Sequence, residues 1–217
     1  MNVTQGQRWP KTLSTALVII AVAIRASISF AQEAGVNEFM FEGKIHNPDM
    51  DWPTKHLGES VSADSDTMIV GAPYTNLNGQ NYAGFAQVYR ADGLGGWTLE
   101  AELNIYDAET ADYFGCSVCV SGDTAVIGAY QDEEGELNSG AAYIFIRSGD
   151  VWTQQSKHTA GDPSLDDFFG FSVAVSNDVF LVGSHYHDDP ESNAGSVYVF
   201  KRMPDLTKTH IPWGVLK

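Results

Sequence analysis

Carboxylate and amide side chains are concentrated in two short segments, "QDEEGELNS" (131–139) and "YHDDPESNA" (186–194). Calcium is bound by the oxygen atoms of such side chains when several of them lie close together. The segments therefore contain candidate calcium ligands, which are Asp132, Glu133, Glu134 and Asn138 in the first and Asp188, Asp189 and Asn193 in the second. Their spacing does not repeat cleanly, so a second interpretation, in which the acids only keep the protein soluble, stays open. Calcium is the one cofactor that the sequence leaves open.

Two cysteines, Cys116 and Cys119, lie three residues apart in "CSVC". On an extended strand, side chains three residues apart point to opposite faces. Neither a mutual disulfide nor a shared metal ion is expected from this geometry, and we predict two free thiols.

The segment "HYHDD" (185–189) could place two imidazoles on one face of a strand. His185, however, occupies a position of the repeated sequence that holds Tyr130 and Pro73 in the other copies, which favours an ordinary solvated loop.

Three serines recur in similar sequence surroundings about 55–57 residues apart, namely Ser60, Ser117 and Ser172. A catalytic nucleophile is needed once, and it requires a base beside it. No histidine or aspartate keeps a constant position next to these serines. The sequence therefore predicts no catalytic residue and no enzyme activity, and it assigns the serines a packing role.

The chain has 217 residues, with 28 acidic and 12 basic side chains and a formal net charge of −16. Such a surface repels nucleic acid and anionic membranes, and it favours cations or a partner with basic patches. Residues 1–31 hold no acid, and Arg8 and Lys11 precede an apolar run that ends near Ser29 and Ala31. This pattern predicts a signal peptide, or a signal anchor, and hence a secreted or cell-surface protein with no other membrane contact.

The remaining chain repeats itself about every 55–57 residues. The landmarks of the repeat are glycines, two of them preceded by phenylalanine: Gly58, Gly71, Phe114, Gly115, Gly128, Gly140, Phe169, Gly170, Gly183 and Gly195. Each copy contains short segments rich in β-branched and aromatic residues, separated by turn residues. The first segment of a copy is built of small residues, the second is apolar, and the last alternates apolar and polar residues.

This grading is typical of a β-propeller blade. The predicted fold is all-β, a partial β-propeller of about three four-stranded antiparallel blades after the signal segment. The propeller region is predicted over 32–201, with copies near 57–103, 114–158 and 169–201 and a preceding strand at 39–46. Residues 202–217 are predicted to form a non-repeat tail in which the strand pattern is lost.

The long loops of such blades meet at one end of the molecule, because they join second to third strands and fourth to first strands. These loops carry 15 of the 28 acidic residues. Loops at one end of a rigid scaffold commonly bind ligands.

Three segments carry a resemblance to a known family: "FGCSVCVSGDTAVIGAY" (114–130), "FGFSVAVSNDVFLVGSH" (169–185) and "LGESVSADSDTMIVGAP" (57–73). They resemble the FG-GAP repeat over roughly residues 40–201. The resemblance implies a propeller like the seven-bladed head of integrin α-subunits, which serves extracellular ligand binding and adhesion. Many members carry a D-x-D-x-D-G calcium loop after the first strand, where this chain has a tight turn. The family's calcium site is therefore not transferred, and the turns resemble those of the bacterial and algal-type repeats.

Three hypotheses about function follow. The first is a non-enzymatic extracellular recognition or adhesion module that acts through its acidic loops, on a protein or glycan ligand. The second is a structural fragment of a larger or split propeller, which would self-associate or pair with further blades because open sheet edges invite pairing. The third is an accessory domain of a secreted hydrolase.

Overall fold

The computed structural model of the chain describes residues 43–45, 56–133, 136–188 and 193–203, and the backbone of 213–215. The chain divides into two compact units, Met1–Glu42 and Gly43–Lys217, and all described residues belong to the second. The predicted signal segment lies outside the described residues. So does most of the strand predicted at 39–46, and residues 43–45 are not in a strand. The described part of the chain includes no helix that is long and apolar enough to cross a membrane.

The described residues form β-strands and no helix, which confirms the all-β prediction. Blade one comprises β1 (Ser60–Asp64), β2 (Thr67–Ala72), β3 (Phe85–Ala91) and β4 (Trp97–Leu103). Blade two comprises β5 (Ser117–Ser121), β6 (Thr124–Ala129), β7 (Ala141–Ser148) and β8 (Val151–His158). Blade three comprises β9 (Phe169–Ser176), β10 (Val179–Ser184), β11 (Ser196–Arg202) and β12 (Trp213–Val215). Each blade is a four-stranded antiparallel sheet whose strands neighbour one another in chain order.

The first two strands of every blade are joined by a turn of two residues. The first residue of each turn, Ser65, Gly122 or Asn177, has a positive φ of 52–56°. Glycine and asparagine adopt this conformation most readily, which explains the turn chemistry of the second and third copies. A turn of this length cannot wrap a calcium ion, in agreement with the missing calcium loop.

The fourth strand of blade three comes from the predicted tail. In this strand, Trp213, Gly214 and Val215 pair with Arg202, Lys201 and Phe200 of β11. The repeat pattern of the sequence ends after Lys201, but the chain beyond it still supplies a fourth strand to blade three. An outer strand is held by backbone hydrogen bonds, which a sequence outside the repeat can supply equally well.

Consecutive blades pack against each other through two apolar clusters. Between blades one and two, Ile69 and Val88 meet a second set of buried side chains, among them Val118, Ile127 and Phe145. The joint between blades two and three is built from the equivalent positions. Val126 and Ile144 of blade two pack with Val175, Phe180 and Val182 of blade three. Burial of this apolar surface is the main force that holds the blades together.

Several of the repeat-defining residues lie at these joints. Phe114 and Phe169 are completely buried. Ser60 Oγ donates a hydrogen bond to Gly115 O (2.8 Å), and Ser117 Oγ donates one to Gly170 O (2.7 Å). Ser60 and Ser117 thus link one blade to the next, a role beyond the packing that the sequence predicted for the recurring serines.

Candidate functional site

The loops after β2, β6 and β10 lie beside the loops after β4 and β8. Backbone hydrogen bonds connect the two sets: Tyr113 N donates to Tyr82 O (3.0 Å), and Phe168 N donates to Asn138 O (3.2 Å). The acidic loops are therefore held together at one end of the blades, called here the loop end. This arrangement agrees with the loop placement predicted from the sequence.

A cavity of about 280 Å³ opens at the loop end of blade two. We call it the acidic pocket. The β4–β5 loop, the β6–β7 loop and β8 supply its lining residues, which are Asp107, Glu109, Asp112, Asp132, Glu133 and Lys157.

Lys157 balances part of the charge in the acidic pocket. Its Nζ lies 3.0 Å from Asp132 Oδ2 and 3.2 Å from Asp107 Oδ2. It also lies 5.4 Å from the centre of the Tyr143 ring. The hydroxyl of Tyr143 donates a hydrogen bond of 2.6 Å to Asp132 Oδ2. The buried Asp132 carboxylate is therefore stabilised by a cation and a donor from its own blade.

Burial changes the proton affinity of two groups beside Lys157. It raises the pKa of Asp112 from 3.8 to about 6, and the nearby charges of Asp132 and Glu109 act in the same direction. The Glu109 N–H, which donates to Asp112 Oδ2 at 2.6 Å, acts in the opposite direction. Burial, together with the Asp132 carboxylate, also raises the pKa of Tyr143, so this hydroxyl remains a donor at neutral pH.

The structure does not gather the predicted calcium ligands into one site. Asp132 and Glu133 line the acidic pocket. Asn138 Nδ2 instead donates to Asp166 Oδ1 (2.7 Å), and Asp188 Oδ1 accepts a hydrogen bond from Asn193 N. The remaining two predicted ligands, Glu134 and Asp189, lie outside the described residues. Within the described ranges, no three acidic, histidine or cysteine side chains are grouped so that they could hold a metal ion.

Blade three carries different side chains at the positions that correspond to three residues around the pocket. Asp167, 55 residues after Asp112, is buried and lies 2.9 Å from His187 Nδ1, which takes the position of Asp132. The hydroxyl of Tyr198, in the position of Tyr143, lies 3.4 Å from His187 Nε2. In blade one the corresponding loop residue is the buried Thr75. The sequence signal for this position is a polar residue at the same place of each copy, at spacings of 57 and 55 residues.

Aromatic rings form a continuous row across the loop end. We call it the aromatic row; its contacts are His56–Tyr74 (4.6 Å between ring centres), Tyr74–Tyr113 (5.5 Å), Tyr113–Tyr130 (5.2 Å), Tyr130–Phe168 (5.6 Å), Tyr130–Phe171 (5.6 Å) and Phe171–His185 (4.0 Å). Several of its side chains, Phe171 and His185 among them, are exposed. Burial raises the pKa of Tyr130 to about 12, with smaller contributions from Tyr113, Tyr74, Cys116 and Glu59. The row therefore contains both half-buried and solvent-facing rings.

Both cysteines are free and lie at the joint between blades two and three. Cys119 Sγ accepts a hydrogen bond from Val175 N (3.3 Å), and Cys116 Sγ lies 3.6 Å from Gly170 O. Burial raises the pKa of Cys116 to about 11, which keeps its thiol protonated and weakly nucleophilic.

Packed four-stranded antiparallel blades, with their long loops at one end, define a β-propeller-type module. A family model described as the FG-GAP repeat matches residues 40–89, 97–145 and 152–200. These matches cover more than half of the chain, and the protein belongs to the FG-GAP repeat family. Each of the later two begins in the last strand of one blade and ends in the third strand of the next. No curated protein sequence matched the chain.

Proposed function

We propose that the protein is a non-enzymatic extracellular recognition module that binds a basic segment of a protein ligand at its loop end. The observation that supports this proposal is the position of the acidic pocket beside the aromatic row. Asp112 of the pocket directly precedes Tyr113 of the row, and Asp132 follows Tyr130 by two residues.

The two features suit the same kind of ligand. Carboxylates attract the ammonium and guanidinium groups of lysine and arginine, and aromatic rings attract the same cations through their π-electrons. The net charge of −16 would also steer a basic ligand towards the protein. An anionic ligand is disfavoured by the same charge.

Calcium assistance is a separate proposal about the acidic pocket. The ammonium group of Lys157 lies within 3.2 Å of two pocket carboxylates, Asp107 and Asp132. A divalent cation that used both of these carboxylates as ligands would have to displace Lys157, whereas a basic ligand can bind the other lining carboxylates, Glu109 and Glu133. We therefore propose that recognition of the basic ligand does not depend on calcium.

Fluorescence anisotropy with a labelled octa-arginine peptide tests both proposals. The variant Glu109→Gln/Glu133→Gln removes two pocket charges and should weaken binding about tenfold at low salt. The control variant Asp123→Asn/Asp150→Asn removes two exposed charges from turns at the opposite end of blade two and should bind like the unchanged protein. Equal losses in both variants would show unspecific attraction and would contradict the proposed site. Loss of binding in EDTA, with recovery in calcium, would contradict independence from calcium.

A further inference from the structure

A lysine and an aspartate meet in the acidic pocket at a distance that permits a reaction as well as an ion pair. Lys157 Nζ lies 3.0 Å from Asp132 Oδ2, which is bonded to the carbon that an amine would attack, Asp132 Cγ. Lys157 belongs to β8 and Asp132 to the loop after β6, so a bond between them would span β7. Groups held about 3–3.5 Å apart react far faster than the same groups free in solution.

Little water reaches this pair. The side chain of Asp132 is 5% exposed and that of Lys157 is 18% exposed. Asp107, the other carboxylate that contacts Lys157, is 33% exposed and is better solvated. Exclusion of water favours condensation to an amide, because water is the product that has to leave and the reactant of the reverse hydrolysis. Asp132 is therefore the better partner for the amine.

Two further side chains provide the groups that such a condensation needs. The hydroxyl of Tyr143 donates a hydrogen bond of 2.6 Å to Asp132 Oδ2, and it would stabilise the negative charge that develops on this oxygen during the attack. Asp112 lines the same pocket and is 3% exposed. Burial raises the pKa of Asp112 to about 6, so this carboxyl can accept and return a proton near neutral pH.

We propose that Lys157 and Asp132 form an isopeptide bond, an amide link between two side chains, after the chain has folded. A proton first passes from the Lys157 ammonium group to the Asp112 carboxylate. The lone pair of Nζ then forms the bond to Asp132 Cγ, and the bond from Cγ to Oδ1 breaks. Oδ1 leaves as water with two of the three ammonium protons, one of them returned by Asp112, and the third proton stays on the amide nitrogen. Nothing is oxidised or reduced, and no co-reactant is needed.

The link forms slowly, because the ion pair has to give up a proton before the amine can attack. The newly folded protein therefore contains the ion pair, and the linked form accumulates with time. One positive and one negative charge disappear together, so the net charge of the pocket is unchanged and binding of a basic ligand does not depend on the link. The link attaches the β6–β7 loop covalently to the outer strand of blade two and shortens the unfolded chain between residues 132 and 157.

Mass spectrometry of the denatured protein tests the proposal. Samples of the unchanged protein are taken over several weeks in neutral buffer, and the mass should fall by about 18 Da, the mass of one water molecule. Trypsin does not cleave at a lysine whose amine is bonded, so digestion should give residues 91–147 linked to residues 148–201. Fragment ions should place the link at Asp132.

Protein variants identify the reacting groups. Lys157→Arg keeps a cation beside Asp132 but removes the amine, and it should lose no water. Asp112→Asn should slow the formation of the link about a hundredfold. The control variant Asp123→Asn/Asp150→Asn, at exposed turns of the opposite end of blade two, should form the link as fast as the unchanged protein.

Three results would overturn the proposal. The first is a constant mass of the unchanged protein. The second is a link located at Asp107. The third is a loss of water without linked peptides, which a cyclic imide at an aspartate would give. An unchanged rate in Asp112→Asn would overturn the proton transfer assigned to that carboxyl.

Discussion

At the residue scale, one buried loop position carries a different polar side chain in each blade. It is occupied by Thr75 in blade one, Asp132 in blade two and His187 in blade three. A buried carboxylate is costly unless it is paired, and Asp132 has Lys157 and Tyr143 as partners. His187 is paired with Asp167 instead. The tyrosine beside this position is the same in both blades, as Tyr143 and Tyr198, but the ionic partner is Lys157 in blade two and Asp167 in blade three, so the scaffold tolerates a change of chemistry here.

Asp112 makes stability depend on pH. Its pKa is raised from 3.8 to about 6 in the folded protein by burial. Its contribution to stability is therefore complete below about pH 3.8 and is lost as the pH rises through about 6. Asp112→Asn, which keeps an acceptor for Glu109 N, should raise the free energy of unfolding at pH 8 by about 1 kcal/mol after allowance for solvent screening. Near pH 4 the gain should disappear, as measured by urea denaturation.

The control for this prediction is Asp150→Asn, at an exposed position in the turn between β7 and β8. It should leave the difference between the two pH values unchanged. A gain for Asp112→Asn that is the same at pH 4 and pH 8 would show that proton binding by this carboxyl does not control stability.

At the element scale, each pair of blades is joined mainly through the first strand of the second blade. Polar contacts reinforce the joint at the opposite end from the loops: Arg147 donates to Thr67 Oγ1 (3.0 Å), and Arg202 donates to Thr124 Oγ1 (3.0 Å). The first strands contain small residues because backbone must approach backbone at this place. A larger residue in a joint that is closed should therefore cost more than the same residue in a joint that is open.

Two equivalent glycines test this difference. In Gly128→Ala the new methyl group collides with the backbone carbonyl of Gly170 and with Ser117 Oγ, and the free energy of unfolding should fall by about 3 kcal/mol. In Gly183→Ala it meets only the exposed side chain of Ser172, which can rotate, and the loss should stay below about 1 kcal/mol. Urea denaturation of both variants gives the comparison. Equal losses would mean that the closed joint does not limit residue size at this position.

At the scale of the whole molecule, the excess of negative charge opposes compactness. With a net charge of −16, the folded chain repels itself at low ionic strength. Raising sodium chloride from about 0.02 M to about 0.5 M shortens the Debye length to a few ångströms and should raise the melting temperature by a few degrees. Binding of the octa-arginine peptide should weaken over the same range. A melting temperature that falls with salt would show that ion pairs such as Arg147–Asp123 outweigh the repulsion.

The blade architecture follows from local sequence patterns. Turn glycines, runs of β-branched residues and two-residue turns each involve only a few neighbouring residues. The sequence alone therefore predicts the strands of the three copies up to Arg202. β12 was not predicted, because Trp213–Val215 joins its sheet through backbone pairing, which no pattern of side chains in the sequence indicates. The predicted calcium ligands illustrate the same limit. Composition identified acidic loops, but the ion pair of Asp132 with Lys157 depends on the packing of β8 against the β6–β7 loop.

The sequence by itself determined the repeat, its family and the concentration of acidic residues at one end, since all three are properties of residue order. Only the tertiary structure decided which acids are neutralised, which aromatic rings form a row and which serines join blades. These properties arise from contacts between residues that lie far apart in the sequence, such as Ser117 with Gly170 and Tyr74 with Tyr113. Side chains far apart in sequence meet only when the sheets pack, and the packing determines their partners.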